Sequence, residues 1–334
     1  MVHSLTDEAS AAGAPFGPLI RALRPTDLSA FLKFRSRSPA NEALLGPAVR
    51  APRLTFKEFL GRSLALNPGR ETWVNVEQGQ IYGLVAARAR FGADVWDIDH
   101  LMIAPSVDGD RVCLRLLTHL CEAAVEEGVQ KVFLRLPMDS PWLQPARQAG
   151  FVQYTTEHVF VLPTFDAAPK VSVPGLRPRR PADHQPLFQL YSASVPGPVR
   201  QIEALTLQEW RWTDNWGFTS VASLRGAVRR RRRDLVVQGD ARLTAWVQVD
   251  LGSRTLQLLL DPRDAPKPVD LLGRGLAELV PGRPVAFAMR DYQSELSGAL
   301  EEKGFRPIES QALLAQMLTA RVPERRWVPA RVAS

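Results

Sequence analysis

Cysteine is nearly absent from the 334-residue chain, which has two, Cys113 and Cys121. Eight residues apart in an apolar-periodic stretch, they lie about 12 Å apart along a helix axis, beyond disulfide reach. That excludes a disulfide scaffold and predicts two reduced, buried thiols. Histidine is scarce as well: His3, His100, His119, His158 and His184 show no metal-ligand spacing and no pairing with the cysteines, so no metal site is expected. No run approaches the ~18 apolar residues of a membrane-spanning helix. The opening MVHSLTDEASAAGAPFGP has neither a basic leader nor an apolar centre, so it reads as a short lead-in over 1–17 rather than a signal peptide. A cytoplasmic protein without a membrane partner is the expectation. No Gly-x-Ser-x-Gly elbow, Walker loop or dinucleotide fingerprint occurs, which removes those enzyme classes.

What remains is an ordinary globular composition, 45% hydrophobic and 23% charged, at a length that predicts two domains. The charge is uneven. Residues 1–168 carry 17 Lys/Arg against 18 Asp/Glu, and residues 169–334 carry 25 against 17, so the net +7 belongs to the second half. Six of the 42 cations are Lys, and the rest are Arg.

The chain also repeats itself. Arg-x-x-Arg-Pro-x-Asp occurs as Arg21, Arg24, Pro25, Asp27 and again as Arg177, Arg180, Pro181, Asp183, an offset of 156. LMIAP ends at Pro105 and LLLDP at Pro262, an offset of 157; Gly150-Phe151 and Gly304-Phe305 are offset by 154. Landmarks in one order at nearly one offset predict two homologous units. The fold class is α/β: two tandem domains, each a mixed, mostly antiparallel sheet flanked by helices. The expected boundaries are 18–162 and 175–322, with a Pro-rich linker at 163–174 and a tail at 323–334.

Each copy reads alike. In the first, Leu19–Leu23 is a strand, Asp27–Arg35 a helix and Phe56–Leu66 another helix. Trp73–Val76 and Ile81–Ala87 form a hairpin across Gln78-Gly79, and Trp96–Ile103 is the next strand. Val112–Glu127 has helical spacing closed by Gly128. Val132–Leu136 is a buried strand, and Phe151–Leu162 supplies the last strands. The second copy has the hairpin Leu235–Gln238 and Leu243–Val249, the strand Thr255–Leu260, a helix near Leu271–Leu279 and the strand Val285–Met289.

This element order, with Leu101, Ile103 and Pro105 before a helix and a closing Gly150-Phe151, resembles the GNAT superfamily of acyl-CoA-dependent N-acyltransferases. The resemblance covers 18–162 and, more faintly, 175–320. It implies that acetyl-CoA or another acyl-CoA lies along the backbone of Leu101, Met102 and Ile103. Its pyrophosphate would meet the stretch Asp108, Gly109, Asp110, Arg111, Val112 and Cys113 at a helix N-terminus. The family's loop has glycines where this chain has Arg111 and Cys113, so Arg111 would act as a side-chain phosphate ligand. In the second copy Arg263, Pro266, Lys267 and Pro268 replace that loop, and prolines remove donors. The family's Tyr before the closing Gly corresponds to Ala146 and Leu300, neither of which donates a proton.

The strand start offers Asp97, Asp99 and His100 as a general base for an amine; the other reading makes them solvent-facing polar residues. Strict alternation puts Asp97 and Asp99 on the face of Leu101, and His100 with Ile98 and Met102. Arg229–Arg233 is a basic block that reads as a solvated loop or as a site for an anionic partner such as nucleic acid. Trp210, Trp212 and Trp216 read as core packing or as a pocket wall. Two functions follow. One is acyl-CoA-dependent N-acyl transfer, acetyl in the first instance, to a small-molecule or peptide amine in the first domain. The other is a catalytically inactive ligand- or partner-binding module.

Overall fold

The computed structural model describes residues 19–37, 41–46, 49–50, 70–89, 94–105, 108–167, 171–204, 206–208, 210 and 232–318. The expected helix at Phe56–Leu66, the lead-in, the tail, Trp212, Trp216 and Arg229–Arg231 lie outside these residues.

In the first half the strands are β1 (Leu19–Ala22), β2 (Leu44–Gly46), β3 (Val49–Arg50), β4 (Arg70–Glu77), β5 (Gln80–Ala89), β6 (Val95–Ile103), β7 (Lys131–Pro137) and β8 (Val152–Leu162). Its helices are α1 (Leu28–Arg37), α2 (Gly109–Glu126) and α3 (Leu143–Gln148). The second half has β9 (Leu176–Pro178), α4 (His184–Ser194), α5 (Gly197–Glu203), β10 (Arg232–Gln238), β11 (Leu243–Asp250) and β12 (Thr255–Leu260). It ends with α6 (Pro268–Leu276), β13 (Val285–Arg290), α7 (Ser297–Glu302) and β14 (Arg306–Met317).

Twelve strands form one sheet, in the order β1-β4-β5-β6-β7-β14-β8-β13-β12-β11-β10-β9. The two halves cross over at its centre. β14, from the end of the chain, lies antiparallel between β7 and β8, while β8 pairs antiparallel with β13 of the second half. Each half therefore receives the last strand of the other, and every internal strand edge at the junction is paired.

Helices cover both faces. α2 forms because Val112, Leu116, Leu117, Leu120, Cys121 and Ala124 fall on one stripe, all buried. It stops at Gly128, whose φ of +77° is a left-handed conformation that glycine adopts without strain. This stripe packs on Val85, Leu101, Ile103 and Leu134. On the opposite face, α1 seats the fully buried Phe31 and Phe34 on Leu84 and Met102, each worth about 1.5–3 kcal/mol of burial. In the second half α6 and α7 take the place of α2, and α4 and α5 that of α1. Trp210 is core: it packs against Phe188, Tyr191 and Trp246 at ring-centroid distances of 6.1–6.3 Å. Among the described residues no helix is long and apolar enough to cross a membrane.

Candidate acyl-transfer cleft

The two parallel strand pairs part early. β6 and β7 pair at Val95–Lys131, Trp96–Val132 and Asp97–Phe133, and the register ends there. Ile98–Ile103 thus runs on beyond the ladder and forms a fork with the remainder of β7. In the second half β12 and β13 pair at Thr255–Ala286 and Leu256–Phe287 and then part in the same way.

At the fork β6 carries a bulge. Against β5 the register jumps from Ile98–Ala87 to His100–Ala86, so Asp99 is an extra residue. The bulge changes the phase of the strand. Trp96 and Ile98 share a core with Leu101 and Ile103, whereas Met102 packs in the core on the other face. The expected grouping of Asp97 and Asp99 with Leu101 is therefore corrected, since strict alternation cannot survive an inserted residue.

Asp97, Asp99 and His100 are drawn together at the bulge but are not alike. Asp99 and His100 are both buried, 2% and 4% exposed, and His100 Nδ1 donates to Asp99 Oδ1 at 2.8 Å. Arg70 stands 3.9 Å from the other oxygen of Asp99. Asp97 forms the last rung of the ladder and is paired with Arg88 at 3.5 Å. Asp99 and His100 are therefore not solvent-facing strand residues, and Asp97 is half-buried.

The edge of β6 beyond the fork is in use. Asn41 Nδ2 donates to the Asp99 carbonyl at 2.9 Å, and Leu101 N–H donates to Asn41 Oδ1 at 2.8 Å. Glu42 N–H donates to the Leu101 carbonyl at 3.1 Å. Asn41 is a residue that sequence reasoning missed. It belongs to no motif, and its partners are some 60 positions away.

The residues expected around the pyrophosphate divide by the helix. α2 starts at Gly109, and Val112 N–H is already bonded to the Asp108 carbonyl at 3.0 Å. The amides of Gly109, Asp110 and Arg111 are therefore the first-turn donors that a helix N-terminus offers an anion. Asp108 is exposed and paired with exposed Arg111 at 2.8 Å. Asp110 is exposed as well, and two acids beside the terminus work against a diphosphate. Val112 and Cys113 face the core. Burial, with Asp110 nearby, pushes the Cys113 thiol far above its usual range. Gly109 has a steric role that sequence reasoning missed: a Cβ there would lie 3.1 Å from the indole of Trp142.

The second-half fork is sealed by side chains. Gln293 Nε2 donates to the Leu258 carbonyl at 2.9 Å, and Ser194 Oγ to the Leu260 carbonyl at 2.6 Å. Pro268 occupies the first turn of α6, where it supplies no amide. Between the forks lies a buried charge cluster. Glu157, fully buried, accepts from Arg135 at 2.7 Å and pairs with Arg290 at 3.0 Å, and Arg290 also reaches Glu203 at 3.4 Å. Burial disfavours the Arg290 charge, but Glu157 and Glu203 outweigh it and hold the guanidinium firmly protonated. Among the described residues no three His, Cys, Asp or Glu side chains converge as metal ligands.

Residues 39–145 match the model of the acetyltransferase (GNAT) family. The chain resembles this family over that stretch of its first half. Its fold is shared with a GCN5-related N-acetyltransferase from Sphaerobacter thermophilus, at 14% identity and a TM-score of 0.52, over 91% of this chain and 96% of that one. It is likewise similar to a tandem GNAT protein from the clavulanic acid biosynthesis pathway, solved without AcCoA. That match has 14% identity and a TM-score of 0.50, over 90% of this chain and 98% of the other. No curated protein sequence matches the chain. Within the GNAT frame, the fork and the α2 terminus of the first half fit an acyl-CoA in outline. Among the described residues, the obstacle on the β6 edge is the Asn41 segment.

Proposed function

We propose that the first half is an acyl-CoA-dependent N-acyltransferase acting on a small-molecule or peptide amine, with acetyl as the first acyl group to test. The observation that carries this reading is the Asp99–His100 pair, at 2.8 Å, seated in the bulge where β6 leaves β7. The cofactor, when bound, supplies an acyl group activated as a thioester.

The chain's own residues do the rest. Asp99 orients the His100 ring through Nδ1, and Nε2 would be the atom that takes the amine proton. Leu101 N–H, held in this structure by Asn41 Oδ1, is the β6 donor that an acyl-CoA carbonyl would take over. The first-turn amides of α2 and the Arg111 side chain hold phosphate oxygens. Asp97, paired with Arg88, lies two rungs before the base and steadies the strand there. A cytoplasmic location belongs to the same proposal, in keeping with the free, buried Cys113 and Cys121.

The test is release of thiol from acetyl-CoA in the presence of an amine panel, with calorimetric binding beside it. His100→Gln is expected to lower turnover by about 10²–10⁴ and to leave acetyl-CoA affinity unchanged. No binding below millimolar and no thiol release would overturn the reading.

One set of contacts favours the second reading, a non-catalytic GNAT-fold module. The β12 edge is satisfied by Gln293 and Ser194, and the β6 edge by Asn41 and Glu42. In that reading an anionic partner would meet Arg229–Arg233. Of the described pair, Arg232 is half-buried and 3.7 Å from Asp234, while Arg233 is exposed. Salt-dependent binding of a DNA or RNA pool, without acyl-CoA binding, would establish it.

A further inference from the structure

We infer that Asn41–Ala43 is a resident strand surrogate, holding the acyl-cofactor edge of β6 until an acyl-pantetheine chain displaces it. The inference rests on the acyltransferase reading and adds to it a built-in competitor.

Three hydrogen bonds run in sequence along one edge of β6. They join Asn41 Nδ2 to the Asp99 carbonyl, Leu101 N–H to Asn41 Oδ1, and Glu42 N–H to the Leu101 carbonyl. This is the edge that the β6–β7 ladder abandons after Asp97. Unpaired backbone groups there would be costly if buried, and the Asn41 segment satisfies them. Its donor and acceptor belong to one carboxamide, which is the pair that an amide of an extended pantetheine arm presents. The segment is therefore a like-for-like substitute for that arm.

The segment is also firmly seated. Asn41 is 1% exposed and Ala43 is completely buried, in the same core as Leu101 and Leu134. Ala43 N–H donates to Asn41 Oδ1 at 3.1 Å, a local turn that aims the carboxamide at β6. β2, which follows at once, lies against both β6 and β7, so the chain bridges the fork. Because Asn41 also bonds the carbonyl of Asp99, its departure frees the backbone next to His100. Entry of the cofactor and release of the backbone beside the base are thus coupled in one displacement.

A competitor that must leave lowers apparent affinity by the fraction of molecules already open. Removing the two neutral hydrogen bonds that the Asn41 side chain makes to β6 raises that fraction by roughly tenfold. Acetyl-CoA binding to the full chain, measured by calorimetry, is therefore expected to tighten about tenfold in Asn41→Ala. Asn41→Asp keeps the side-chain size and the acceptor for Leu101 but sets a carboxylate oxygen against the Asp99 carbonyl, and it is expected to behave likewise. It carries the test if the alanine variant does not fold. Binding by the variants with none by the wild type is the extreme form of the same result. Hydrogen exchange supplies a second readout: acetyl-CoA should deprotect the Glu42 amide while the Leu101 amide stays protected. Wild-type binding that is not tightened in either variant, or a Glu42 amide still protected in the complex, overturns the surrogate and leaves the acyltransferase standing. No binding by any of the three proteins overturns both.

Discussion

Arg177 grips Asp183 with two parallel hydrogen bonds, at 2.7 and 2.8 Å, and Arg180 N–H donates a third to the same carboxylate at 2.6 Å. The first half repeats the device: Arg21 donates to Asp27 at 2.7 and 2.6 Å, and Arg24 N–H at 2.9 Å. Pro25 and Pro181 each open a short 3-10 turn between the first strand and the first helix of their half. The repeated motif is thus a splice that fixes how a strand delivers its helix.

This splice predicts acid sensitivity. The Arg177 bonds lead in holding the Asp183 carboxyl below its usual value, against burial. For Asp27 burial pushes upward, but the bonds from Arg21 and Arg24 together outweigh it. A depressed carboxyl contributes stability above its unfolded pKa, near 3.9. That contribution is lost as pH falls through the folded value. Asp183→Asn should cost about 1–3 kcal/mol at pH 7, read from the urea midpoint, and the gap to wild type should close as pH falls below about 4. A gap independent of pH would remove the carboxylate from the account.

The repeat was legible because motif, strand and closing Gly-Phe recur in order, and residues of one type at one spacing survive divergence. Strand exchange was not legible. β8 and β14 follow Gly-Phe alike, and nothing in either strand's alternation says which half it will join. The bulge was hidden for a related reason: its phase shift exists only against β5, so counting alternate residues from Asp97 goes wrong at Asp99. Gly109 was legible only as one of the stretch expected to meet the pyrophosphate, yet Trp142 fills the space beside it, and a contact 33 positions away leaves no local mark.

Two glycines with nearly equal φ should respond very differently to alanine. Gly175 has φ +72° and a Cβ position only 2.3 Å from the backbone oxygen of Gln238. Its own carbonyl accepts from Gln238 N–H at 2.9 Å, so neither backbone can retreat without losing the start of β9. Gly79 has φ +74° in the hairpin turn between β4 and β5, with nothing within 4 Å of a Cβ. Gly79→Ala should cost about 1 kcal/mol of conformational strain. Gly175→Ala adds a backbone collision and should cost about 3–5 kcal/mol. Equal melting shifts in the two variants would contradict this.

Glu157 ties the halves together. It lies on β8 at the crossing, fully buried, with Arg135 of the first half at 2.7 Å and Arg290 of the second at 3.0 Å. Glu157→Gln removes a fully buried charge from between two half-buried guanidinium groups and should cost about 3 kcal/mol. Because β14 lies between β7 and β8, the loss should lower one shared calorimetric transition. Two separable transitions in wild type or variant would show that the crossed strands do not couple the halves.

The thiols give a test on the alkaline side. Cys121 Sγ donates to Gln316 Oε1 of β14 at 2.9 Å, and burial, with Glu122 nearby, pushes its pKa up to about 12. At pH 8 roughly one molecule in 10⁴ then carries a thiolate, and the thiolate is the reactive form. A disulfide reagent should leave the native protein unlabelled at pH 8 and titrate two thiols after denaturation. The linkage runs opposite to that of the aspartates. An acid whose folded pKa is raised is neutral in both states below about 8.5. Above that the unfolded chain ionises first, so stability falls as pH rises toward the folded value, by at most about 1.4 kcal/mol per pH unit for each thiol. Cys121→Ala should flatten the decline of the urea midpoint between pH 8.5 and 10.5, and an unchanged slope would place the alkaline loss elsewhere.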